Sequence, residues 1–170
     1  MRRTDALLVL AAGLSLGGQS SHAAGCDLWL DVTDKDPAGL NVRATPGGAI
    51  IGALKGGERE VHVTGQSGAW ASIDHAVLVR GGEPDDANPL FSGAGYVAFG
   101  LLGMGRLVPY QDLYATPQPF ARVVLKLSRL KGAMPKPTVI GCSDEYVEVR
   151  VNGMVAWAHN CTDPRAASCD

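Results

Sequence analysis

The chain has 170 residues, with 15 Lys and Arg against 17 Asp and Glu, 46% hydrophobic residues, 22 Gly, 10 Pro and four Cys. This length argues against a large multidomain enzyme, and so much Gly and Pro argues against a helical bundle. Charged residues make up only 19% and nearly cancel, so the basic footprint that holds a phosphate backbone is missing and no nucleic-acid partner is expected.

In chain order, residues 1–23 carry Arg2 and Arg3, an apolar run from Ala6 to Leu16, and a polar stretch ending in Ser21-His22-Ala23. These are the parts of a secretory signal peptide cut after Ala23. The run is too short to span a bilayer, so the mature protein is expected to be periplasmic or secreted, with no transmembrane segment. Ala23-Ala24-Gly25-Cys26 offers a rival cut, because it resembles the lipobox that would lipidate Cys26. Two things weigh against it: Gln19-Ser20-Ser21-His22 separates it from the apolar run, and lipidation would leave an odd number of Cys in an exported chain.

Export makes Cys26, Cys142, Cys161 and Cys169 candidates for disulfides. No Cys-x-x-Cys pair occurs, so neither a metal site nor a cofactor is expected. Three pairings are open. The crowding of three Cys near the C-terminus suggests that one bridge ties the tail, residues 163–170, to its own domain.

The mature chain repeats itself. Ala44-Thr45-Pro46 is echoed by Ala115-Thr116-Pro117, Gly65-Gln66-Ser67-Gly68-Ala69-Trp70 by Gly141-Cys142-Ser143-Asp144-Glu145-Tyr146, and Gly95-Tyr96-Val97 by Ala156-Trp157-Ala158. The first copy then needs an insertion before its last strand, placed in a surface loop at about 81–94 around Gly81-Gly82-Glu83-Pro84-Asp85-Asp86. Within each copy the apolar residues alternate. Tyr146 to Val151 puts three Val on one face, and Ala69 to Ile73 behaves alike. Further strands are expected at Leu28 to Val32, Ala49 to Leu54, Glu60 to Thr64, Val123 to Leu127 and Pro137 to Ile140. Short strands broken by Gly and Pro predict an all-β fold of small barrels.

Gly39-Leu40-Asn41-Val42-Arg43-Ala44-Thr45-Pro46 resembles the opening signature of bacterial SH3 (SH3b) domains. Ile50-Ile51-Gly52-Ala53-Leu54, the turn Lys55-Gly56-Gly57, Gly65 with Trp70, and the closing Gly95-Tyr96-Val97 follow in the order of that family. The likeness covers residues 27–100. A second copy over 104–162 keeps the skeleton but runs from Leu113-Tyr114 straight into Ala115-Thr116-Pro117 without Asn-Val-Arg. The resemblance implies two small SH3-like β-barrels in tandem, acting as a non-catalytic binding module for peptidoglycan or another cell-envelope component. The alternative is a protein-protein partner or inhibitor of an exported hydrolase.

Candidate ligand-binding residues are the outward aromatics Trp70, Tyr96, Tyr146 and Trp157, which can stack on sugar rings or peptide side chains, and Arg43, which can grip a carboxylate. Their competing roles are covering a barrel edge, joining the two copies or, for Arg43, lying along the barrel. Asp74-His75 is the only Asp-His dipeptide. As strand neighbours the two should face opposite ways, and His62, His75 and His159 read as scattered. No Gly-x-Ser-x-Gly elbow or other catalytic residue set occurs, and no enzymatic activity is expected.

Overall fold

Alternation of apolar and polar residues, with Gly at the turns, builds β strands throughout. The computed structural model describes residues 25–104, 112–130 and 136–160. The expected signal peptide, Cys161, Cys169 and the tail lie outside the described residues. The strands are β1 (Gly25–Val32), β2 (Leu40–Arg43), β3 (Ile50–Leu54), β4 (Arg59–Ser67), β5 (Trp70–Arg80), β6 (Glu83–Pro84) and β7 (Phe91–Ala98). They continue with β8 (Leu102–Gly103), β9 (Asp112–Tyr114), β10 (Val123–Lys126), β11 (Thr138–Ser143), β12 (Tyr146–Val151) and β13 (Met154–His159). The fold is all-β, with short 3-10 turns at Phe99–Leu101 and Leu127–Arg129.

Two sheets result. The first, curled into a half-barrel, runs β3-β2-β7-β5-β4-β1-β8 with β6 folded onto β5, and the second runs β10-β9-β13-β12-β11. The second order repeats the first five strands of the first sheet position for position. Register agrees as well: Arg43 faces Tyr96 as Tyr114 faces Trp157, Ser72 faces Tyr96 as Glu148 faces Trp157, and Gly65 faces Ser72 as Gly141 faces Glu148.

The segment expected as a loop at 81–94 is shorter than that. Strand β5 continues to Arg80, β6 pairs with Val79 and Arg80, and β7 begins at Phe91. Leu90 and Phe91 pack against the core, and that burial holds the chain in the sheet.

The two sheets share one apolar core. Leu28, Leu30, Val61, Ile73 and Phe99 belong to the same buried cluster as Leu113, Val139, Val147 and Val149. The junction lies between β1 and β11. Of the three open pairings, Cys26–Cys142 is the bond seen, with Cα atoms 5.9 Å apart. It occupies the sulfur that lipidation would require. Beside it the Asp27 N–H donates to the Asp144 carbonyl at 3.1 Å, the Asp144 N–H donates to the Gly25 carbonyl at 2.7 Å, and the Cys142 N–H donates to Gln66 Oε1 at 2.9 Å. A disulfide here fits an oxidising compartment. No helix among the described residues is long and apolar enough to cross a membrane.

Candidate ligand-binding cleft

The hairpins β4–β5 and β11–β12 turn at equivalent places, Gly68 and Asp144, both with positive φ. Because β11 docks beside β1 and β4, these two turns and the strands leading into them come together. Between them opens a cleft of about 870 Å³, partly open to solvent, a volume that suits a ligand of a few rings. The first repeat contributes Gln66, Ser72 and Tyr96 to its walls, and the second contributes Pro117, Glu148 and Trp157. Thr64, Ser67 and Ser143 add hydroxyls. Two half-buried aromatic rings surrounded by hydroxyls and one amide offer stacking surface with adjustable hydrogen bonding, a combination suited to sugars and short peptides.

Gly141 leaves room for this geometry. A Cβ there would stand 2.7 Å from Gln66 Oε1 and 2.9 Å from Glu148 Oε2, so a side chain at this position would push one or both of these head groups aside. The Gln66 side chain is fixed by the Cys142 N–H.

Of the aromatics expected from the sequence, the cleft brings Tyr96 and Trp157 together. Trp70 and Arg43 form a separate pair, with the guanidinium carbon 5.8 Å from the indole centre while Nη1 donates to the Gly48 carbonyl at 2.6 Å. Tyr146 packs edge-on against His159, ring centres 4.7 Å apart, and the His159 ring meets Glu145 at 3.3 Å. Gln66, Ser72 and Glu148, which also line the cleft, belong to no binding motif in the sequence. Their signal lay in the repeat, since Ser72 and Glu148 occupy the positions directly opposite Tyr96 and Trp157.

A second polar cluster lies on the face of β1, β4 and β5. His62 Nδ1 is 2.7 Å from Asp74 and Nε2 is 2.8 Å from Asp27. The Trp29 ring stacks on His62 at 5.1 Å and meets His75 edge-on at 6.1 Å, and Ser92 Oγ lies 3.2 Å from His75 Nδ1. The expectation of scattered histidines is corrected here, because His62 and His75 are cross-strand partners. A register irregularity between Ile73 and His75 leaves Asp74 out of both ladders. Such a bulge turns a side chain away from strict alternation, so Asp74 reaches His62 despite its neighbour's contact with Trp29. The serine, imidazole and carboxylate are divided between two pairs, Ser92 with His75 and Asp74 with His62. Among the described residues no group of three or more His, Cys, Asp or Glu converges on a metal position.

With a carboxylate at each nitrogen, His62 is arranged to donate twice, as an imidazolium. Burial pulls its pKa down, but the hydrogen bonds to Asp27 and Asp74 and their charges outweigh burial and hold it above 6.5. Asp31 is also raised above 3.8, first by burial and then by the Glu58 charge. Both groups are raised in the folded state, so the stabilisation each gives is complete below its unfolded pKa and is lost as pH rises through its folded value. Thermal melts should therefore show stability falling across two windows, one starting above 3.8 and one above 6.5. The His62→Gln variant should lose the upper window alone. The effect will be small, because Asp27 and Asp74 are 84% and 53% exposed. An unchanged upper window in His62→Gln would show that His62 does not carry it.

No family model, curated protein or solved structure matches the chain. The likeness to SH3b domains therefore rests on the sequence motifs already described.

Proposed function

We propose that the protein is an exported, non-catalytic binding module of two divergent SH3b-like units, which holds peptidoglycan or another cell-envelope component in the cleft between its sheets. The observation that carries this reading is that equivalent positions of the two repeats line one cleft, with Tyr96 and Trp157 among its walls. Hydroxyl and amide groups around two rings match a ligand that is part apolar ring face and part hydrogen-bonding edge. The disulfide between the sheets is compatible with the oxidising compartment in which such a ligand is met.

Sedimentation with insoluble peptidoglycan tests the reading. The oxidised chain should pellet, and Tyr96→Ala with Trp157→Ala should remain in the supernatant, since removing each stacking ring weakens binding by about 1–2 kcal/mol. Trp70→Ala, which alters the separate Arg43 pair, should pellet like the parent. If the parent chain does not pellet while one envelope protein co-purifies with it, the wall-binding reading fails and the reading as a protein partner or inhibitor replaces it.

A further inference from the structure

The two halves of the cleft differ in one chemical respect. Where the first repeat has Ser72 opposite Tyr96, the second has Glu148 opposite Trp157. Glu148 is the one charged side chain lining the cleft among the described residues. It makes no hydrogen bond or ion pair among the described residues. On one side its strand neighbour is Trp157, and on the other it is Gly141, which has no side chain to cover it. Glu148 is half-buried, and its Oε2 lies over Gly141 beside the head group of Gln66, whose Oε1 is already used by the Cys142 N–H. Gln66 offers the carboxylate only its amide N–H groups, and the nearest partner found for these is the Gly68 carbonyl at 3.4 Å.

We infer that Glu148 anchors a protonated primary amine of the ligand, with Trp157 and Tyr96 flanking the carbon frame that carries it. An ammonium group is attracted both to a carboxylate and to the faces of aromatic rings, and partial burial strengthens both attractions. An anionic ligand group would instead meet an unpaired like charge. Two sources share this chemistry: an unacetylated amino sugar and an amino-acid side chain that ends in an amine. The inference rests on the cleft being the ligand site, and it adds the ligand class to that reading.

The oxidised chain is titrated, by tryptophan fluorescence and calorimetry, with two probe pairs. One is glucosamine against N-acetylglucosamine, and the other is Nα-acetyl-lysine methyl ester against its Nε-acetylated form. In at least one pair the free amine should bind about tenfold tighter or better than its acetylated partner. Glu148→Gln should abolish that preference, bringing the free amine to the affinity of its acetylated partner. Glu148→Ser, which copies the equivalent Ser72, is the second variant and should do the same. The pair that discriminates identifies the source. Equal binding within both pairs, no binding of any probe, or a preference that survives both substitutions would overturn the inference. A parallel sedimentation with intact and amine-acetylated peptidoglycan separates the two failures. Undiminished pelleting with acetylated wall overturns the amine anchor and leaves wall binding standing, whereas no pelleting with either wall removes the wall-binding reading and leaves the soluble pairs to decide the anchor.

Discussion

Replacing Cys26 and Cys142 together with serine is expected to lower the unfolding free energy by about 4 kcal/mol, because their bond closes a long loop in the unfolded chain. The two residues are 116 apart in sequence. In a chain of this size the melting temperature should fall by roughly 10 °C. The loss reaches further than loop entropy. Both cysteines are buried at the junction, and the backbone bonds between Gly25, Asp27 and Asp144 lie directly beside them. Without the covalent tie, β11 stays on β1 only through those bonds and the shared core, so the cleft should widen as stability drops. Thermal melts of the parent and the double variant, with and without reductant, give the measurement. A melting temperature unchanged by the substitutions would mean that the sheets hold together without the bond.

Gly39→Ala is expected to cost about 3 kcal/mol or more. Gly39 has φ +86, where a side chain is strained, and an added Cβ would fall on the carbonyl oxygen of Leu54 and within 2.8 Å of its carbon. That carbonyl is not free to move. Arg59, a buried cation, donates to it through Nη1 at 2.5 Å and through Nη2 to the Asp34 carbonyl at 2.8 Å. The clash would therefore disturb the β2–β3 pairing and unseat a buried guanidinium whose lost hydrogen bonds are costly to leave unmade. Gly47→Ala is the matched control. Its φ is +68 with nothing within 4 Å of the added Cβ, so only the backbone cost of about 1 kcal/mol applies. Chemical denaturation of the two variants should separate these values, and equal losses would show that the Leu54 contact is harmless.

Local chemistry was legible in the sequence where it is periodic. The alternation of Val147, Val149 and Val151 marked β12 at its observed bounds, and the Gly and Ser echoes marked the hairpin pair that faces the cleft. Period two does not show where a strand stops when both arms of a hairpin stay in the sheet, so β5 and β7 run longer than their apolar signals. The turn at Asn152-Gly153, both with positive φ, is legible too, because Asn-Gly between alternating strands is a strong hairpin signal. Tyr96 and Trp157 were legible as equivalent positions. Their meeting in one cleft was not, because it depends on how β11 docks on β1. The Asp27–His62–Asp74 cluster was missed for a similar reason: its partners come from three strands, and a bulge at Asp74 breaks the alternation used to assign faces.

The position of a bound ligand decides most directly whether the cleft is the binding site. Two-dimensional NMR of the oxidised chain, titrated with a soluble peptidoglycan fragment that carries a free amine, reads that residue by residue. Shifts should concentrate at Gln66, Ser72, Tyr96, Ser143, Glu148 and Trp157 and should grow with occupancy. Shifts confined to the separate cluster of Trp29, His62 and Ser92, or to the edge strand β3, would contradict it.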